Sequence, residues 1–447
     1  MHDGLQNVVS GMGTSRDKAA GAAYVLSLLT DDQIEAAYRT SYLAQRIIDV
    51  PAEDAGREWR EWKAKEAQIT LLEAEEKRLG LQGKLIETIK AARCWGGGAI
   101  LIGDGTDDLS QVLKPESIGR GGLKYLTVMR RQELTPGELE DDPRKPGYKR
   151  PKHYSISTPE GAIPIHPSRL VILRGKIAPG GNIIQTDGWG DSVLNTVLSA
   201  VQRDDSASAN AESLMYEAKV DVMKVKGLTE NLRSRGVEYE QLLLRRFQLA
   251  SIAKGINGAL LLDEDEGYEQ KSASFSGIPD LLDKFAQRVS AAAGIPMTRL
   301  FGMSPGGLNS TGDNDVRGYY DLVKVHQTLW IDPELHILNE CLIRSALGTR
   351  PPEIHYAWRP LWQLSEKEIA ENADKLMSAL EKLERMGGTP PEAISKAAVN
   401  ALTENGAFPG LEAYAEQFGT GEPDEDDAAA ALGDQVRKYC KEGTEGA

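Results

Sequence analysis

The chain has few cysteines, few histidines, no long apolar run and no excess of positive charge, and each shortage narrows what it can be. Its three cysteines, Cys94, Cys341 and Cys440, lie far apart with no Cys-x-x-Cys or Cys/His spacing. Neither a disulfide framework nor a zinc site is supported, and reduced thiols in a cytoplasmic setting are expected. Acidic residues outnumber basic ones, 67 to 52, for a formal charge of −15. A protein that grips nucleic acid through its phosphates needs clustered Lys and Arg. A tight DNA binder is thereby disfavoured, whereas a protein that DNA merely passes is not. The most apolar early stretch, Gly21 to Leu29, is too short to span a bilayer, and no cationic segment with an apolar run and cleavage site is visible. Nucleophile-elbow and zincin patterns are missing, so no catalytic residue, metal or cofactor is expected.

What is present is a chain of 447 residues, 40% hydrophobic, enough for two or three domains. Residues 1–29 are rich in Gly, Ser and Ala and read as a loose arm. Thr30 caps a helix carrying Ile34, Ala37, Tyr38 and Leu43 at helical spacing, and Pro51 is expected to interrupt it. Arg57 to Trp62 alternates like an edge strand. Helices are expected over 68–79 and 82–94, separated at Gly80. The short strand Ala99–Ile102 follows Trp95-Gly96-Gly97-Gly98, and further strands are expected at Tyr125–Met129, Tyr154–Ser157 and Leu170–Leu173. From Asp191 a helix runs to about Ala218, then a strand at Val220–Val225, a helix over 229–253, and a small β insertion up to Phe275. A helix from Ser365 to about Met386 opens on a capping box, and 419–433 is an acidic, solvated stretch. The class is α+β, mostly helical.

The segment from Gly277 to Gly348 is the most distinctive. An Ala-rich amphipathic helix ends at Gly294-Ile295-Pro296, a polar glycine-rich loop spans Gly302–Asp313, and a long helix opens at Asn314. Such a loop is longer than a bare connection requires. It lacks Gly-Lys-[Ser/Thr] and follows a helix rather than a strand, so it is not a phosphate cradle. The acidic turn Asp263–Gly267 has glycine at the fifth position and Ser274 at the twelfth, which does not fit a calcium loop. Three His-x-[Ser/Thr] triplets begin at His153, His166 and His326. A pair on facing strands would suggest a two-histidine phosphodiesterase, but only His153 stands in strand context.

Several weak motifs in order carry a resemblance: Phe285-Ala286-Gln287-Arg288-Val289, Ala293-Gly294-Ile295-Pro296, Leu300-Phe301-Gly302, the Gly/Asn/Ser/Thr loop, Pro333-Glu334-Leu335 and Leu338-Asn339. Upstream stand His166-Pro167-Ser168-Arg169-Leu170-Val171 and Gly188-Trp189-Gly190-Asp191-Ser192-Val193-Leu194. Over roughly residues 30–385 the chain resembles the portal proteins of tailed double-stranded-DNA phages, in the branch long known as a phage domain of unknown function.

The resemblance implies a portal fold with wing, stem, clip and crown regions. After the arm (1–29), the wing would be 30–228, the first stem helix 229–253, the clip 254–277 and the second stem helix 278–294. A tunnel loop would occupy 295–314, a wing return helix 315–364, a crown-like helical region 365–418 and an acidic tail 419–447. Met303, Ser304, Asn309, Ser310, Thr311 and Asp313 would face DNA. Asp283, Lys284, Gln287 and Arg288 would line the channel along a helix about 24 Å long. Asp263, Glu264, Asp265, Glu266 and Tyr268 would dock partners. The implied assembly is a homo-oligomeric ring, usually of about twelve copies, at a capsid vertex of the virion. It conducts DNA during packaging and ejection, without a membrane and without chemistry of its own. Its partners would be the packaging terminase, head-completion or adaptor proteins, major capsid and scaffold proteins, and DNA passing non-specifically. The rival readings are the two-histidine phosphodiesterase and a helical scaffold or adaptor in a non-viral complex.

Overall fold

The structure is a computed structural model. It describes residues 28–404, apart from 146, 160, 180–186, 217–218, 225–227, 254–266, 273–274, 276, 304–311, 363–365 and 387–389. The chain divides into two units, Met1–Leu361 and Trp362–Ala447.

The first unit opens with α1 (Asp31–Thr40). Thr30 Oγ1 accepts from Gln33 N, and the Gln33 side chain accepts in return from Thr30 N, a reciprocal cap. The break expected at Pro51 falls instead at Ser41, which caps α2 (Tyr42–Arg57), and α2 continues through Pro51. Proline has no N–H for the carbonyl four residues back, which should orphan Ile47 O. An arginine 46 positions along the chain supplies the missing donor. Arg93 Nη2 donates to Ile47 O at 2.8 Å, and its Nε donates to Ile48 O at 3.2 Å. The end of α2 is satisfied similarly: Gln327 Nε2 donates to Ala55 O and Gln82 Nε2 to Gly56 O, each at 2.8 Å.

β1 (Arg60–Lys63) leads into α3 (Glu66–Leu79) and α4 (Leu81–Trp95). Between these helices Gly80 adopts φ +63°, a left-handed cap that glycine takes without steric cost. β2 (Gly97–Gly103) is the centre of an antiparallel sheet, flanked by β3 (Tyr125–Arg130) and, later in the chain, by β7. Both faces of β2 are buried. Ile100 and Ile102 face one core with the helices, while Ala99 and Leu101 face a second core with Tyr154, Ile165 and Trp189. This is why the strand reads as a continuous apolar run rather than an alternating one. β4 (Thr135–Pro136), β5 (Tyr154–Thr158) and β6 (Gly161–Ile165) form a second antiparallel sheet, and β7 (Leu170–Arg174) returns to β2. Three glycines let backbones meet here: Gly96 O accepts from Gly175 N and Gly190 N, both at 2.9 Å. A Cβ on Gly96 would lie 2.1 Å from Gly190 O.

α5 (Leu194–Tyr216) precedes β8 (Lys219–Lys224), α6 (Leu228–Ala253) and β9 (Gly267–Ser272). β8 pairs antiparallel with β9, from Lys219 opposite Ser272 to Lys224 opposite Gly267. The boundary expected at residue 228 therefore cuts through a paired unit, because the edge of β8 finds its hydrogen-bond partners in β9. The helix expected over 229–253 is also broken, at Gly236 (φ +59°, ψ −143°). α7 (Ile278–Ala293) then packs along α5.

After α7, Gly294 (φ +66°) closes the helix, and α8 (Met297–Leu300) forms one turn inside the stretch expected to be loop. α9 (Asp313–His326) continues into a π turn at Gln327–Ile331 and a 3-10 turn at Asp332–Leu335, and then into α10 (His336–Leu347). The return helix expected from 315 is thus helical throughout 313–347 but changes pitch ahead of Pro333. That proline cannot bond the Leu329 carbonyl, which loosens the turn.

β10 (His355–Trp358) pairs with β1. Between them lies a buried cation. Arg60, 2% exposed, lies over the rings of Trp62 and Tyr356, 4.7 and 4.5 Å from their centroids. Its Nε donates to Glu76 Oε1 at 2.6 Å and its Nη1 to Asn339 Oδ1 at 2.5 Å. Nη2 stands 2.6 Å from the same Glu76 oxygen but is not aligned for a further hydrogen bond.

In the second unit, α11 (Glu366–Arg385) and α12 (Pro391–Glu404) pack together as a helix pair. The capping serine expected at Ser365 and the acidic tail lie outside the described residues, as does the arm up to residue 27.

Candidate channel-lining site

α7 has two faces. Ala286 and Val289 are buried, while Asp280, Asp283, Lys284, Gln287 and Arg288 are exposed. The four residues expected to line a channel therefore share one solvent face, as helical spacing requires. Lys284 Nζ donates to Gln287 Oε1 at 3.1 Å. Two carboxylates and two cations stand along this face, so it has no basic track on which DNA phosphates could settle.

The stretch beyond α7 is anchored by a carboxylate that sequence spacing did not reveal. Asp54 on α2 is 1% exposed. It takes an ion pair from Arg299 on α8 and a hydrogen bond from Tyr319 OH on α9 at 3.0 Å. Burial, followed by the Asp54 charge, raises the Tyr319 pKa, so its hydroxyl remains a proton donor. Arg46 adds two bonds to the same junction, Nε to Leu300 O at 2.6 Å and Nη2 to Arg299 O at 2.7 Å. Elements on both sides of residues 304–311 are thus held to α2. These partners are separated by 245 to 265 positions, and no local pattern could have paired them.

Of the expected loop residues, Met303 is 53% exposed. Asp313 is the first residue of α9, whereas Ser304, Asn309, Ser310 and Thr311 lie outside the described residues. Of the expected docking residues, Tyr268 sits in β9, opposite Met223. Asp263, Glu264, Asp265 and Glu266 lie outside the description.

The histidine triplets fall differently from the sequence expectation. His153 and His166 both flank the Tyr154–Ile165 end of the β5–β6 pair, so His166 also has strand context. However, His166 Nδ1 lies 2.8 Å from Ser168 Oγ, and that hydroxyl accepts from Leu113 N at 2.9 Å. Ser168 thus ties its turn to the backbone at Leu113, 55 positions earlier. His326 is on α9. Burial pushes the Cys94 and Cys341 thiols up to about 12, far from nucleophilic range. Among the described residues no group of His, Cys, Asp and Glu could hold a metal ion, and no helix is long and apolar enough to cross a membrane. A cleft of about 420 Å³ near Trp95 and Trp189 is lined in part by the Asp31–Arg131 ion pair, at 2.7 Å, and has no histidine in its wall.

Comparison with known proteins gives four findings. A protein of Caulobacter sp. (strain RHG1) named anti-CBASS protein Acb1 is 42% identical over 434 residues, 94% of this chain and 69% of that protein. A protein of the same name from Sphingomonas paeninsulae is 38% identical over 421 residues, 92% of this chain and 66% of its own length. The chain therefore spans about two thirds of these relatives. Among solved structures, the neck of a native gene transfer agent particle, computed with C12 symmetry, matches with a TM-score of 0.50 at 17% identity, over 83% of this chain and 97% of that one. The family model described as phage portal protein matches residues 32–382, from α1 almost to the end of α11. With most of its length matched by that family, the chain belongs to the phage portal proteins.

Proposed function

We propose that this chain is the repeating subunit of a portal ring, usually of about twelve copies, through which double-stranded DNA enters and leaves a capsid. The α7 face carries this reading. It is an exposed helix surface of balanced charge, packed on α5 behind and leading into a polar, glycine-rich stretch. Moving DNA needs a wall that excludes solvent without binding phosphate strongly, because each phosphate contact releases counterions and holds the duplex in place. The β8–β9 pairing and the packing of α7 along α5 favour a revised division: α5 and α7 as the stem, and residues 217–277 as the clip. The clip would dock the packaging terminase and later the head-completion proteins. The ring would sit at one vertex of the virion, against capsid and scaffold proteins. Residues 302–313 would touch passing DNA without reading its bases.

The anti-CBASS name of the two relatives does not require chemistry here. We propose that it attaches to the third of their length that this chain does not match. In the matched part, Ser168 of the His166 triplet is engaged by a backbone N–H.

Native mass spectrometry and negative-stain imaging of the purified chain test the ring. The expected result is a closed assembly of about twelve copies. A stable monomer at micromolar concentration would overturn the proposal. Deleting Met303–Gly312 is expected to leave assembly intact and impair DNA packaging or retention; collapse of the assembly would show the segment to be structural.

A further inference from the structure

α9 and the π turn that follows it carry apolar residues on two opposite sides. Tyr319, Val323, Gln327 and Ile331 face the core of the first unit. On the far side, Leu322 is 56% exposed, Val325 45%, Leu329 66% and Trp330 53%. A surface helix that needs only one buried face carries polar residues on the other. The π turn sharpens the anomaly. Heptad spacing from Val323 would bring residue 330 toward the core. The wider turn at Gln327–Ile331 brings Ile331 there instead and leaves Trp330 in solvent. Single π turns of this kind concentrate at functional sites.

The stripe exposes on the order of 400 Å² of apolar side chain, the size of the largest patch on a typical soluble monomer, which is often a functional one. Its borders are mixed in charge, with Asp315 and Asp321 exposed beside Arg317 and Lys324. A DNA or lipid surface would call for a basic border. An apolar centre with a mixed polar rim is the anatomy of a protein contact, and tryptophan and leucine at its middle suit an anchor. We infer that the outer face of α9 and of the π turn that follows it, centred on Leu329 and Trp330, packs against a second copy of this chain. It forms one half of the head-to-tail contact whose repetition closes the ring. This inference rests on the ring reading above. In such a contact the stripe meets a different surface of the next copy, so the contact can repeat from subunit to subunit around a ring, whereas a stripe-on-stripe dimer buries both stripes and stops at two copies.

The test compares the full chain with Leu322→Glu/Leu329→Glu and with the apolar control Leu322→Met/Leu329→Met, by native mass spectrometry over a concentration series. The expected result is a wild-type and Met-control ring, and a Glu variant whose assembly midpoint rises at least 100-fold. Its monomer should keep the wild-type hydrogen-exchange protection in α2, α4 and β2, since both leucines are exposed in the single subunit. A photo-crosslinking residue at position 325, in rings mixed from heavy and light chains, should give heavy–light pairs. A wild-type monomer or dimer overturns the ring reading and this contact with it. A ring that survives the Glu substitutions, or crosslinks confined to one chain, overturns the contact and leaves the ring standing.

Discussion

Replacing Arg60 by methionine tests the reasoning about the buried cation most directly. In the native chain the guanidinium is shared by a carboxylate, an amide and two rings on β1, α3, α10 and β10. Methionine fills much of the volume but removes every donor. Glu76, 6% exposed, keeps one hydrogen bond, from Trp59 Nε1 at 2.9 Å, and Asn339 Oδ1 loses its cationic donor. Breaking a buried pair by deleting one partner costs about 3–5 kcal/mol, chiefly because the other charge stays behind. A unit of roughly 300 ordered residues has an unfolding entropy near 0.6 kcal/mol/K, so this loss should lower Tm by roughly 5–8 °C. Differential scanning calorimetry would read the shift. Hydrogen exchange should show it concentrated in β1, β10 and the adjoining turns of α3 and α10. Adding Glu76→Leu should recover part of the loss, since the stranded charge goes, but not all of it, because Trp59 Nε1 and Asn339 Oδ1 then lack partners. A Tm change below about 2 °C in Arg60→Met would mean Glu76 finds solvent on its own, and the burial argument would fail.

Two other consequences follow from named contacts. Arg93→Met should destabilise the first unit by about 1–3 kcal/mol through the uncovered Ile47 carbonyl. The same substitution in a Pro51→Ala background should cost measurably less by thermal melt, because alanine at that position supplies the missing N–H. Glu340 is pulled in two directions: burial raises its pKa, but hydrogen bonds from Arg344 at 2.6 Å and Arg350 at 2.8 Å outweigh this and hold it below the usual range. A depressed carboxylate stabilises fully above its unfolded pKa, near 4.3, and the contribution vanishes as pH falls through the folded value. Melting curves from pH 7 to pH 3 should therefore show wild type losing its advantage over Glu340→Gln below about pH 4.5.

The parts of this fold that were legible in the sequence are those set by neighbours in the chain. The Thr30 cap, the Gly80 break between α3 and α4, the strands β2, β3, β5 and β7, and the exposed face of α7 all follow from spacing within a few residues. What escaped was set at a distance. Pro51 reads as a helix breaker until Arg93 is seen to cover the carbonyl it orphans. β8 reads as the end of one region until β9, far along the chain, pairs with it. The π turn at Gln327 depends on Pro333 but also on Gln327 reaching Ala55 on α2. The candidate site divides the same way. The α7 helix came from its amphipathic spacing and its four lining residues from the family resemblance, while the Asp54 junction joins three segments whose separation hides them from any local reading.

That junction has an engineering consequence. Because α8 and α9 are both tied to α2 through Asp54, the two helices are held at a fixed span by the body of the protein. Loop-closure entropy grows only slowly with length once the ends are fixed, about 0.6 kcal/mol per doubling. Added length between α8 and α9, such as an epitope, a fluorophore tag or a foreign hairpin, should therefore cost the first unit little stability, because the Asp54 junction already fixes the two helices.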